Sequence, residues 1–299
     1  MIPALDQDAL RGRLLHQEPL DRHTSWRVGG PARRFYQPAD RADLVAFLQR
    51  LDPREPLLWL GLGSNLLVRD GGFKGTVIAT QGALDEIAWR DARHLYAEAG
   101  VSCAKVARTA ARAGLCGVEF LAGIPGTLGG ALAMNAGAFG GETWQRVQEV
   151  ETLDRQGRVR VRLPEEFQIG YRQVQGPADE WFLAAVLVLE PGDVEASQQR
   201  IRELLERRAA TQPTRQPSCG SVFRNPPGDH AARLIEASGL KGLRRGGAQV
   251  SEKHANFIIN TGAAKAADIE DLILEVQRAV EARTGVRLTP EVHRVGERI

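Results

Sequence analysis

Gly61-Leu62-Gly63-Ser64-Asn65 lies between two apolar runs, Leu57–Leu60 and Leu66–Val68. Both runs have the length of short buried strands. A dinucleotide fingerprint needs its glycines between a strand and a helix, and here the chain leaves the loop as strand again. Two further glycine-rich stretches occur, Gly29-Gly30 and Gly123-Ile124-Pro125-Gly126-Thr127-Leu128-Gly129-Gly130. Neither carries the Gly-Lys-Ser/Thr ending of a P-loop. Glycine lets backbone N–H groups approach an anion closely, and successive N–H groups form phosphate-binding nests. One such loop alone is an ordinary tight turn. Two, each joined to Ser, Thr or Asn donors, predict a strand-loop-strand phosphate site and a long diphosphate-bearing cofactor lying across loops from two lobes.

Outward from these loops the chain reads as mixed α and β. Asp40 caps a predicted helix over 41–51, and Ser102 one over 104–113 that stops at Gly114. Strands are predicted at 76–80, 147–153, 159–163 and 181–189. A charged helix over 194–210 runs into Thr211-Gln212-Pro213-Thr214-Arg215-Gln216-Pro217, the best linker candidate. Beyond it come helices at 230–238 and 268–284 and strands at 255–260, 286–288 and 292–295. This places a boundary near 200–215, before a smaller α+β unit.

Composition narrows the class. The 299 residues, 43% apolar and 25% charged, suit a globular protein of about two domains. The longest apolar run, residues 181–189, is far short of the ~20 needed to span a bilayer. Met1-Ile2-Pro3-Ala4-Leu5-Asp6 has no basic segment leading into an apolar one, so no signal peptide and a cytoplasmic location are expected. Three cysteines, at 103, 116 and 219, exclude a disulfide scaffold or a four-cysteine zinc site and predict buried or half-buried thiols. No metal site is expected. A net charge of +2 argues against a dedicated nucleic-acid binder, although 34 of the 39 basic residues are arginine.

Seven segments in order resemble the UDP-N-acetylenolpyruvylglucosamine reductase family. They are Thr24-Ser25-Trp26-Arg27-Val28-Gly29-Gly30-Pro31-Ala32, Gly61 to Val68, Gly123 to Gly130, Gly170-Tyr171-Arg172, Pro217-Ser218-Cys219-Gly220-Ser221-Val222-Phe223-Arg224-Asn225-Pro226, Gly246-Gly247-Ala248-Gln249-Val250-Ser251 and Leu288-Thr289-Pro290-Glu291-Val292. The resemblance implies an α+β, FAD-binding fold of the vanillyl-alcohol-oxidase type. Two α+β lobes, 1–75 and 76–200, would hold non-covalent FAD, and an α+β substrate-binding domain would span 201–299. Arg172 and Ser221 are 49 positions apart, which resembles the branch lacking a substrate-covering tyrosine loop. The cofactor residues implied are Gly29, Gly30, Gly61, Gly63, Ser64, Asn65, Leu66, Gly123, Ile124, Pro125, Gly126, Thr127, Gly129 and Gly130.

The implied reaction reduces the enol-ether double bond of UDP-N-acetylglucosamine enolpyruvate, with NADPH as the source of hydride. Arg172 matches the family arginine: a permanently cationic, planar fork suits a carboxylate whose charge grows in the transition state. Ser221 matches the proton donor, a hydroxyl able to relay a proton. Glu291 matches a glutamate that would polarise the substrate carboxylate as a protonated donor, since burial beside an anion favours the neutral acid. Tyr171, Asn225 and Lys241 match substrate contacts. One departure is Thr211, where relatives often carry lysine; Arg207, Arg208, Arg215 or Arg224 would then compensate. The expected partners are small molecules only, bound by a monomer, without nucleic acid or membrane. Another FAD oxidase or dehydrogenase of the same fold is the alternative, because one fold hosts many chemistries. An arginine-rich RNA-binding protein is a third class, which a yellow, flavin-loaded preparation would exclude.

Overall fold

The computed structural model describes residues 10–299; Met1 to Asp6, where no signal peptide is expected, lies outside them. The described chain forms two compact units. Unit one gathers residues 10–15, 34–62 and 75–206, and unit two residues 16–33, 63–74 and 207–299.

Unit one is built on a five-stranded antiparallel sheet in the order Val159–Arg162, Val147–Asp154, Glu180–Val188, His94–Glu98, Ile87–Trp89. Leu95, Ala97, Val150, Ala185 and Leu187 pack from it against helices Cys103–Arg112 and Leu128–Met134. The register slips by one residue between Glu151 and Thr152, so that Glu151 faces Ala184 while Thr152 faces Phe182. Leu183 is thus the extra residue of a bulge, a device that re-aims its neighbours. It turns Phe182 to the helix-covered face, beside Phe167 and Trp144 at 5.6 and 5.9 Å between ring centroids. The parallel pair Leu57–Leu60 and Phe73–Ala79 belongs to a second, four-stranded sheet in the order Arg13–Pro19, Pro31–Gln37, Phe73–Ala79, Leu57–Leu60.

Both predicted N-caps form. Asp40 accepts from the Asp43 N–H at 2.9 Å and starts helix Arg41–Arg50; Ser102 accepts from Lys105 N–H at 3.2 Å. The strand-loop-strand expectation fails at the third glycine stretch. A 3-10 turn, Glu119–Gly123, precedes it and helix Leu128–Met134 follows. Thr127 caps that helix, and burial of Leu128, Ala131 and Leu132 outweighs the poor helix propensity of Gly129 and Gly130.

Unit two packs helix Ala266–Thr284 on a three-stranded antiparallel sheet of Arg244–Arg245, Ala248–Val250 and Ile258–Asn260. Ile269, Leu272, Ile273, Val276 and Val280 recur every three or four residues and form its buried stripe. Asp70 caps it from another segment: its two oxygens accept from the N–H groups of Ala266 and Ala267, each at 2.9 Å. Gly285, at φ +72°, ends it. Trp26 lies fully buried in the same core, its indole N–H donating to the Ile258 carbonyl at 2.7 Å.

Two predicted strands are cut back. The strand at 255–260 survives only as Ile258–Asn260, because Asn256 turns aside to bond both backbone groups of Phe223, at 3.0 and 2.8 Å. No strand forms at 286–288; the Leu288 carbonyl accepts from the Gln277 amide at 2.6 Å instead.

Candidate active site

In unit two the structure interlocks three of the segments singled out above. Ser221 follows Gly220, whose φ of +71° turns the chain. Val222 then donates its N–H to the Asn256 carbonyl at 2.9 Å and accepts from Glu291 N–H at 2.8 Å. Phe223 bridges Pro290, and Arg224 N–H donates to the Thr289 carbonyl at 2.9 Å. Ser221 and Glu291 are therefore carried on two strands of backbone zipped side by side. The Gly63–Leu66 loop docks on the same pair. Asn65 donates its side-chain amide to the Glu291 carbonyl at 3.2 Å, and its own carbonyl accepts from His293 N–H at 3.1 Å. The buried Cys219 thiol donates to the carbonyls of Gly63 and Leu66 at 3.7 and 3.5 Å. Burial pushes that thiol up to about 12, so it stays protonated and serves as a donor.

The glycines here are required by close approach. Gly63 has φ +62°, and a Cβ there would lie 2.2 Å from the His23 carbonyl oxygen. At Gly30 a Cβ would lie 2.1 Å from the Asp70 carbonyl oxygen, and at Gly29 2.8 Å from the Val68 Cβ. Asn225 uses its side-chain oxygen to accept from Ala231 N–H at 3.1 Å, and Lys241 pairs with Glu236 at 2.9 Å. Thr211 turns its hydroxyl back onto the Arg207 carbonyl at 2.8 Å. Two residues earlier, Ala209 offers its carbonyl to the Lys253 ammonium at 2.5 Å, so a lysine from a distant segment stands beside the Thr211 turn. Sequence reading passed over Lys253, and nothing local in the sequence marks it. Of the arginines weighed at this end, Arg208 bonds Gln212 at 3.3 Å, and the Arg224 Nε is buried without a hydrogen-bond partner among the described residues.

In unit one Arg172 sits at the tip of a hairpin, Gln168–Gly170 against Gln173–Gln175, with φ +55°. Its guanidinium donates to the carbonyls of Asn135 and Gly137 at 3.3 and 2.6 Å and lies 5.1 Å from the ring of Tyr171, which is largely exposed.

Unit one also contains a cavity of about 280 Å³ lined by Trp59, Gly61, Thr127, Gly129, Gly130 and Phe182 among others. Ligand sites run from roughly 300 to 1,000 Å³, so the cavity has room for one end of a dinucleotide and not for the whole. Its walls explain the glycines. A Cβ on Gly61 would lie 2.3 Å from Thr127 Oγ1, and one on Gly129 2.8 Å from the Ala99 Cβ. Trp59 and Trp181 stack beside it, centroids 5.3 Å apart. The aromatic walls and the glycine-lined floor fit the nucleotide end of FAD. Gly61, Thr127, Gly129 and Gly130 of unit one would hold it there. Among the described residues no group of three or more His, Cys, Asp or Glu could hold a metal ion, and no helix is long and apolar enough to cross a membrane.

Comparison with known proteins identifies the family and the fold. Residues 212–295 match the profile of "UDP-N-acetylenolpyruvoylglucosamine reductase, C-terminal domain", and residues 32–162 that of an FAD binding domain. The chain is 67% identical to a UDP-N-acetylenolpyruvoylglucosamine reductase of Alkalilimnicola ehrlichii over 96% of each chain. It is 66% identical to one of Methylococcus capsulatus, over 96% of this chain and 94% of that one. The crystal structure of the Thermus caldophilus UDP-N-acetylenolpyruvylglucosamine reductase superposes with a TM-score of 0.81 at 35% identity, covering 95% of this chain and 99% of that one. A 6-hydroxy-D-nicotine oxidase of Arthrobacter nicotinovorans, 12% identical with a TM-score of 0.55 over 94% of this chain and 87% of that one, shares the fold alone. The chain belongs to the UDP-N-acetylenolpyruvoylglucosamine reductase family, with the α+β fold of the vanillyl-alcohol-oxidase type.

Proposed function

We propose, with that family membership as premise, that Arg172, Ser221 and Glu291 carry the chemistry of an FAD-dependent oxidoreductase of peptidoglycan synthesis. The protein reduces UDP-N-acetylglucosamine enolpyruvate to UDP-N-acetylmuramic acid with NADPH. Bound FAD supplies the hydride chemistry, which belongs to the cofactor. What remains for the protein is to bind a carboxylate whose charge grows, and to protonate the carbon beside it. Arg172 neutralises that carboxylate with its planar guanidinium. Glu291 donates a hydrogen bond to it as the acid. Ser221 delivers the proton to the carbon. Tyr171, Asn225 and Lys241 bind the rest of the substrate. Gly29, Gly30 and the loops Gly61–Leu66 and Gly123–Gly130 hold the cofactor.

The observation that carries this reading is the interlock within unit two: a cofactor loop, the proposed donor and the proposed acid joined by consecutive hydrogen bonds, Asn65 to Glu291 and Glu291 to Val222. The same reading keeps three functional regions, 1–75, 76–200 and 201–299. It has the protein act as a cytoplasmic monomer on small molecules, without nucleic acid or membrane, and so serve cell shape and division. A net charge of +2 supports the absence of a polyanionic partner. The test is anaerobic mixing of NADPH-reduced protein with the enolpyruvyl nucleotide. Return of the flavin colour at a catalytically competent rate supports the assignment, and a flavin that stays bleached refutes it.

A further inference from the structure

Arg172 is an unusual residue to find at φ +55°, a region that costs an ordinary L-residue about 1–2 kcal/mol. It also tips a two-stranded hairpin, a structure marginally stable in isolation. Something must hold that tip. The neighbouring contacts lead to one residue, Asn135, which is 2% exposed and ends helix Leu128–Met134 at φ +39°. Its side-chain N–H groups donate to the Gly170 carbonyl at 3.2 Å, two residues before Arg172, and to Glu142 Oε2 at 2.9 Å. Its side-chain oxygen accepts from Trp144 N–H at 3.2 Å. Its own carbonyl accepts from the Arg172 guanidinium at 3.3 Å. A second carbonyl on that guanidinium, of Gly137, lies just beyond it, where a Cβ would come within 3.1 Å of Arg172 Nη1.

We propose that Asn135 is a positioning residue for the reaction: its amide pins the hairpin tip and its carbonyl aims the guanidinium of Arg172. The inference rests on the role given to Arg172 above. The competing explanation is a helix cap and nothing more, since asparagine is common in the left-handed conformation at helix ends. The two differ in what they need. A cap needs only a residue at ease with positive φ, and glycine serves as well. Positioning needs the amide, because only the amide reaches Gly170. The helix it ends starts at Thr127 in the cavity wall, so one short rigid element spans from the cofactor loop to the catalytic arginine's support.

The experiment uses the FAD-loaded full chain and its variants Asn135→Gly, Arg172→Lys and the double variant. Flavin content, flavin reduction by NADPH, and reoxidation by the enolpyruvyl nucleotide are measured for each. Asn135→Gly is expected to keep its flavin and its NADPH step while reoxidation slows roughly 10- to 100-fold, the scale of an angstrom of misplacement. The double variant is expected to be no slower than Arg172→Lys alone, since both changes remove one effect. Wild-type reoxidation in Asn135→Gly, equal loss in both steps, or multiplied effects in the double variant would each overturn the inference. Normal reoxidation in Arg172→Lys would instead overturn the role of Arg172, and this inference with it; slow Arg172→Lys beside normal Asn135→Gly would overturn this inference alone. Should Asn135→Gly not fold, Asn135→Asp carries the same measurements, because its carboxylate cannot donate to Gly170.

Discussion

Glu291 donates its backbone N–H to the carbonyl of Val222 at 2.8 Å. The bond joins segments about seventy positions apart and fixes the residue after Ser221 to the proposed acid. Neither side chain can drift from the other without opening backbone pairing that Phe223–Pro290 and Arg224–Thr289 reinforce.

That rigidity gives Ser221→Ala a clean outcome. Only a hydroxyl is removed, so flavin content and reduction by NADPH should match the parent. Reoxidation by the enolpyruvyl nucleotide should slow by about 10²-fold or more, the range for losing a positioned proton donor. Stopped-flow absorbance separates the two steps. An equal fall in both would mean that Ser221 supports binding or folding and not proton delivery.

The cavity glycines should be intolerant in a specific way. Thr127 is 2% exposed, and a Cβ on Gly61 would meet its Oγ1 at 2.3 Å, its Cγ2 at 3.3 Å and its Cβ at 3.4 Å. Rotating the threonine therefore only exchanges one close atom for another. Gly61→Ala should purify with substoichiometric flavin and lose about 1–3 kcal/mol of stability, the usual cost of overpacking. Full flavin occupancy with an unchanged melting curve would place the cofactor elsewhere.

The three thiols should differ in reactivity. Cys103 and Cys219 are buried and their thiols pushed up to about 12, while Cys116 is half-buried and raised less, by burial and the charges of Glu119 and Glu190. Since the thiolate is the reactive form, a thiol reagent should label native protein slowly and at Cys116 alone, and all three after denaturation. Prompt modification of Cys219, mapped by mass spectrometry, would contradict the packing of the Gly63–Leu66 loop.

Much of this arrangement was legible in the chain and some was not, for physical reasons. Local signals worked. Asp40 and Ser102 announced helices because a cap bonds within three residues. The stripe from Ile269 to Val280 announced a helix because its period is a property of the segment itself. The helix Leu128–Met134 stayed hidden behind two glycines, since its stability comes from burial of Leu128 and Leu132 and from the need for Gly129 to pass close to Ala99. Asn256 ended a predicted strand by bonding Phe223, thirty-three positions away. Arg172 was readable from its motif, but Asn135 was not, because its value lies in reaching Gly170, thirty-five positions on.

Glu270 was equally silent in the sequence, and it should govern acid stability. It lies on helix Ala266–Thr284 with its side chain 2% exposed. Arg69 grips it with two bonds, at 3.0 and 2.9 Å, and Arg298 and Arg294 approach at 3.2 and 3.5 Å. The bonds from Arg69 and then Arg298 hold its carboxyl at about 2, against an ordinary value of 4.5, and outweigh the opposing effect of burial. The folded value is the lower one, so the stabilisation is fully present above about pH 4.5 and drains away as pH falls toward 2. A shift of this size corresponds to roughly 3 kcal/mol. Glu270→Gln should therefore do two things. At pH 7 it should destabilise by about 3–5 kcal/mol, because three guanidinium groups lose their anion. Between about pH 5 and 2, the span over which this carboxyl titrates, its melting temperature should fall less steeply than that of the parent. Parallel curves for parent and variant across that range would mean that other carboxylates, Asp154 with its own value of about 2 foremost, set the acid limit.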